Sequence, residues 1–138
     1  MLEITSKDVE RYKDNGFVVS NSYLSNNLQN KILNAYNEFI DNNSNLTLEE
    51  MASPHLKEGV GAKHNKTKEL CKQFLDIGKN EEIVSQVKKI LGNDVILWGM
   101  HCMHKEAKTG KKIPWHQDGT YWPIEPKATC SVWIAITD

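Results

Sequence analysis

Residues 113–123 read Ile113-Pro114-Trp115-His116-Gln117-Asp118-Gly119-Thr120-Tyr121-Trp122-Pro123, and this stretch decides how the rest of the chain is read. His116 and Asp118 form a His-x-Asp pair between aromatic residues, just upstream of an alternating run. On an extended backbone, side chains two positions apart share a face, so both can reach one ion. With one further His, such a pair makes the 2-His-1-carboxylate facial triad, which covers one face of Fe(II) and leaves the opposite face open. A bare His-x-Asp is a weak motif, because a His and an Asp often do no more than hydrogen-bond near a turn. The surrounding sequence has to separate the two readings.

From Asp94 onward the hydrophobic period is two. Val95–Lys105 reads as a strand with Val95, Leu97, Gly99, His101, Met103 and Lys105 on one face and Ile96, Trp98, Met100, Cys102 and His104 on the other. That parity sends His101 and His104 to opposite faces, which disfavours a zinc site built on the pair. Glu106–Lys112, with Gly110, is a connection between strands. In the last run, Ala128, Cys130, Val132, Ile134 and Ile136 share an apolar face, while Thr129, Ser131, Trp133, Ala135 and Thr137 share the other. The second face is either exposed to solvent or lines a small ligand-holding barrel, whose wall needs hydrogen-bond donors and a flat aromatic.

The first half is helical by the same test. Ser6 or Thr5 can cap a helix carrying Val9 and Tyr12, with Asn15-Gly16 as its left-handed stop, and Phe17–Ser20 reads as a short strand. Leu24, Leu28, Ile32, Ala35, Tyr36, Phe39 and Ile40 recur at three- and four-residue steps, an amphipathic stripe that must pack on something. Polar Asp41–Asn45 ends it, and a loop with Pro54, Gly59 and Gly61 follows. One helix is expected around Leu70, Phe74 and Ile77, and another over Ile83, Val84, Val87, Ile90 and Leu91, closed by Gly92.

Composition sets outer limits. At 138 residues with 39% hydrophobic residues the chain has the size and content of one ordinary domain. A net charge of -1, with acids and lysines interspersed, gives no footprint for nucleic acid or an anionic membrane, and locally basic Lys63–Lys72 reads as a solvated helix face. No apolar run reaches the length of a membrane span and no secretory signal is seen, so cytoplasm is the expected location. Cys71, Cys102 and Cys130 lack CxxC spacing and read as reduced core residues.

Four segments together resemble the phytanoyl-CoA dioxygenase family of Fe(II)/2-oxoglutarate oxygenases. Ile4–Val9 through Asn15–Val19 is similar to the family's first helix and strand, and Leu91–Val95 to the lead into a strand ending at Lys105, a lysine the family often places shortly before its metal motif. Trp115–Asp118 is similar to the metal-binding turn, and Val132–Asp138 to the strand after it. The resemblance implies an α+β fold: a double-stranded β-helix (jelly-roll, cupin-like) behind an N-terminal helical layer. In that reading 1–138 is the N-terminal part of a single oxygenase domain, with 1–92 mainly helical and 93–138 the first barrel strands with the metal motif.

The same resemblance implies the chemistry. His116 and Asp118 would ligate Fe(II). Met103, Thr129 and Trp133 would lie near 2-oxoglutarate, and His101, Gln117 and Trp122 near substrate; Trp122, Trp133 and His101 remain equally readable as core residues. The co-substrates would be 2-oxoglutarate and O2, and the product a hydroxylated small molecule. Related halogenases carry a small residue in place of the Asp, so retained Asp118 implies hydroxylation. Tyr121 and Trp122 could form a wall for a cationic or zwitterionic substrate. The family's second His ligand and its 2-oxoglutarate Arg have no match at corresponding positions. The expectation is therefore a front half of a longer protein, with the C-terminal half of the barrel missing; the alternative is a non-catalytic binding or interaction domain derived from that fold.

Overall fold

The computed structural model describes residues 2–44, 51–58, 64–105, 108, 110 and 112–137. The expectations placed on Asn45, Gly59, Gly61, Lys63, Asp138 and most of 106–112 lie outside the described residues.

Helix α1 (Ser6–Asn15) starts at Thr5, whose hydroxyl accepts from the Asp8 amide while the Asp8 carboxylate accepts from the Thr5 amide at 2.9 Å and hydroxyl at 2.6 Å. Two otherwise unpartnered donors are thereby satisfied, and those hydrogen bonds hold the Asp8 carboxyl below its usual range. Gly16 stops the helix at φ 78°, a left-handed conformation that glycine adopts without steric cost. Helix α2 (Asn26–Asp41) is capped by Ser25 and buries Leu28, Ile32, Ala35 and Phe39, the stripe its periodicity predicts. Helix α3 (Lys68–Gly78), capped by Thr67, answers with Leu70, Cys71, Phe74 and Ile77. The two helices pack directly on each other, with Phe39 edge-on to Phe74 at 6.3 Å between ring centres and 89° between planes. Each such side chain taken out of water contributes about 1.5–3 kcal/mol, so this interface is the fold's main source of stability.

Helix α4 (Glu81–Leu91) adds Ile83 to the core and ends at Gly92. The N-terminal segment lies along it: the Ile4 amide donates to Gln86 Oε1 at 2.8 Å, and Lys89 Nζ donates to the Ile4 carbonyl at 2.9 Å. Across the α2–α3 pair runs a short antiparallel ladder, β1 (Met51–Ala52) with β2 (Cys102–Met103), in the register Met51 to Met103 and Ala52 to Cys102. Ala52 and Cys102 point into the core, and Ile134 and Ile136 pack against the same cluster.

The strand expectations need correction. Of Val95–Lys105 only Cys102–Met103 is in a ladder, and Phe17–Ser20 and 128–136 form none among the described residues. A strand is defined by a neighbour that accepts its amide protons, and β1 supplies just two residues. β1 itself was invisible to periodicity, being too short to alternate. The parity survives where the chain is anchored. Cys102 is buried, with Met100 and His104 partly so, while His101, Met103 and Lys105 are exposed. In the last run Ile134 and Ile136 turn inward, but Ala128 and Val132 do not, and Trp133 is 81% exposed. Thus an α+β chain is observed, and a double-stranded β-helix is not formed by the described residues.

Candidate metal centre

Gln117 is extended (φ -118°, ψ 122°), and Asp118 opens a 3-10 turn over Asp118–Tyr121. One extended residue between them is enough to put His116 and Asp118 on the same side, without the ladder that the sequence implied. His116 Nε2 lies 3.1 Å from Asp118 Oδ1, and both side chains are 46% exposed. Behind the ring, Nδ1 sits 2.9 Å from the Pro114 carbonyl oxygen. A carbonyl only accepts, so Nδ1 donates to Pro114, and Nε2 is the ring nitrogen turned toward Asp118. Behind the carboxylate, Ser131 Oγ donates to Asp118 Oδ2 at 2.8 Å.

Two elements carry this arrangement. The turn is closed by the Thr120 amide donating to Gln117 O at 3.2 Å. The 129–131 segment is held from α1, where the Tyr12 hydroxyl lies 3.5 Å from the Thr129 carbonyl and also bonds the Cys130 thiol. Burial raises both the Tyr12 hydroxyl and the Cys130 thiol above their usual values. Thr129 Oγ1 stands beside Gly119, 3.8 Å from where a Cβ would be.

The other residues expected at the site are distributed as follows. Thr129 reaches the turn. His101, Met103, Gln117 and Trp133 are exposed and Trp122 is partly buried, and no hydrogen bond or ion pair among the described residues links these five to the His116–Asp118 pair. The Tyr121 side chain lies outside the described residues. His104 faces the core and bonds the Tyr36 hydroxyl through Nδ1 at 2.8 Å, so it diverges from exposed His101 as the period of two requires. No group of three or more His, Cys, Asp or Glu able to hold a metal occurs among the described residues.

Sequence reasoning missed a buried Lys66 and a partly buried His55 beside β2. Lys66 is 4% exposed, its Nζ donates to the Ser53 carbonyl at 2.8 Å, and burial lowers its pKa. His55 is held below its ordinary value by burial and then by the charges of His101 and Lys66, and its Nδ1 is buried without a partner among the described residues. Nothing in the local sequence marked these residues, since 53–67 has neither helical nor strand period.

The phytanoyl-CoA dioxygenase (PhyH) family model matches residues 12–138. The chain belongs to the phytanoyl-CoA dioxygenase family. No curated protein and no solved structure matches it. The match begins inside α1 and takes in both the His116–Asp118 turn and the Ser131 segment behind it. Family membership implies a divalent metal, and His116 and Asp118 are of the residue types that would supply two of its ligands. His116 Nε2 and a carboxylate oxygen of Asp118 stand 3.1 Å apart. Adjacent ligand atoms on an octahedral ion with bonds of roughly 2.1 Å are about 3.0 Å apart, so this separation matches two neighbouring positions on one ion lying to the side of the line between them. No helix among the described residues is long and apolar enough to cross a membrane.

Proposed function

We propose that this chain forms part of an Fe(II)/2-oxoglutarate-dependent hydroxylase of a small molecule, with His116 and Asp118 as metal ligands. The observation that carries the reading is the approach of His116 Nε2 to Asp118 Oδ1 at 3.1 Å, with Nδ1 turned away to the Pro114 carbonyl. Fe(II) with 2-oxoglutarate and O2 supplies oxidising power: the keto acid loses CO2 to become succinate, one oxygen atom entering it and the other the substrate C–H bond.

The chain's own residues would position and shield. His116 and Asp118 would hold one side of the ion; the Thr129 hydroxyl, beside the turn, would donate to a co-substrate oxygen, with Met103 and Trp133 as further 2-oxoglutarate contacts. Gln117, His101 and Trp122 would meet the substrate, and the flat ring of Trp122 suits a cationic or zwitterionic one. In the fold this reading implies, 1–92 is the helical layer and 93–138 contributes the first strands of a double-stranded β-helix. Exposed Trp133 and Met103 then belong to a pocket wall, and the expected location is the cytoplasm.

The test is succinate release from 2-oxoglutarate with Fe(II) and O2 by the protein that contains this chain. His116→Ala and Asp118→Ala should each abolish it and leave the circular dichroism spectrum unchanged. Succinate released at the parent rate by Asp118→Ala would refute the metal assignment. A parent protein that binds small molecules but never turns over 2-oxoglutarate would make it a binding domain instead.

A further inference from the structure

Asp118 is held from two sides, and the two holds differ in kind. Oδ1 faces Nε2 of His116 at 3.1 Å, the position a metal would share. Oδ2 accepts the Ser131 hydroxyl at 2.8 Å, from a residue thirteen positions later in the chain. A carboxylate can offer a metal one oxygen or both, and the difference decides how many coordination positions remain for a chelating co-substrate and O2. Occupying Oδ2 with a hydroxyl donor leaves Oδ1 alone for the ion.

Ser131 is not placed there by chance contact of a loose strand. Its neighbours Thr129 and Cys130 are both engaged by Tyr12 of α1, and Ile134 and Ile136 downstream are seated on the core. The segment is therefore pinned on both sides of residue 131, with the hydroxyl aimed at the turn. On the histidine side the Pro114 carbonyl does the corresponding work by holding Nδ1 at 2.9 Å and so orienting the ring. Groups that orient ligands in this way commonly matter to metal affinity by about 10–100-fold.

We infer that Ser131 is a positioning residue for the metal site: its hydroxyl reserves Oδ2 of Asp118, so that the carboxylate presents Oδ1 alone beside His116. This inference rests on the metal-ligand reading above, and the test separates the two.

The measurement is the dissociation constant of Co(II), added alone and followed by its visible absorption, for the protein that contains this chain and for its variants. Threonine and valine have nearly the same shape and differ by the hydroxyl, so Ser131→Thr and Ser131→Val isolate the hydrogen bond from packing. Ser131→Thr should bind Co(II) within about threefold of the parent, and Ser131→Val about 10–100-fold more weakly, with equal thermal midpoints for the two variants. The His116→Ala control should lose the site. If Ser131→Val and Ser131→Thr bind alike while His116→Ala loses binding, the positioning role is refuted and the ligand assignment stands. If His116→Ala binds as the parent does, the ligand assignment fails and the role of Ser131 with it.

Discussion

Replacing Phe39 by Ala removes the largest fully buried side chain in the α2–α3 interface, one that is 1% exposed. The size of the effect follows from what the ring touches. Returning a buried Phe side chain to water costs about 1.5–3 kcal/mol. The edge-to-face contact with Phe74, at 6.3 Å and 89°, adds about 0.5–1.5 kcal/mol. A residual cavity adds more, because α2 and α3 can close only partly, so the total is about 4 kcal/mol, within the roughly 3–5 kcal/mol typical of such truncations. Against a total stability of about 5–15 kcal/mol for a domain, that is a large fraction.

Urea unfolding followed by far-ultraviolet circular dichroism is the appropriate assay, since α1–α4 dominate that signal. Tryptophan fluorescence is a poor reporter here, because Trp98, Trp115 and Trp133 are already 55%, 92% and 81% exposed. With a urea slope of about 1.5 kcal/mol/M, the midpoint should fall by about 2.5 M with the slope unchanged. Phe39→Leu, which keeps most of the volume but loses the ring pairing, should cost about 1–1.5 kcal/mol. A Phe39→Ala protein within about 0.5 kcal/mol of its parent, the range of a neutral surface change, would refute the packing of α2 on α3 through this residue.

Two further perturbations probe other parts of the fold. The Glu82 carboxyl is held below its ordinary value of 4.5 chiefly by its hydrogen bonds to Ser25, so its contribution is complete above that pH and fades as pH falls through the lower folded value. Glu82→Gln should therefore lower the urea midpoint at pH 7 and narrow the gap to the parent at pH 3; an equal gap at both would exclude the linkage. In native alkylation at pH 8 read by mass spectrometry, half-buried Cys130 should react before Cys102, which burial pushes up to about 11, because the thiolate is the nucleophile. Equal labelling of the two would contradict the burial.

The helices were legible because each carries its own punctuation. Thr5, Gly16 and Gly92 mark ends by local hydrogen bonding or backbone conformation, and the stripe from Leu28 to Phe39 needs only one helix to be recognised, while the Ser25, Thr67 and Asn80 caps came only from the structure. The strands were legible only in parity. Cys102 inward and Met103 outward agree with period two, yet ladder formation at Val95–Gly99 depends on a partner that alternation cannot supply. At the candidate site the approach of His116 to Asp118 was readable from two residues, since one extended Gln117 suffices to put them on the same side. Ser131, Pro114 and Tyr12 were not readable as its supports. They are tied to the pair by a backbone turn, by a contact across thirteen residues, and by a helix more than a hundred positions away, and none of these leaves a local pattern. Lys66 and His55 were hidden for the same reason, as burial of a charge at 4% exposure is a tertiary property.

The claim that His116 and Asp118 share a divalent ion is tested most directly by nuclear magnetic resonance of the isotopically labelled protein that contains this chain, titrated with Mn(II). Paramagnetic broadening falls off steeply with distance and so locates the ion without reference to turnover. The backbone amides of His116 to Gly119 and of Ser131 should broaden first, and the effect should vanish in His116→Ala. Broadening centred on His55 and His101 instead, or persisting unchanged in His116→Ala, would contradict the assignment.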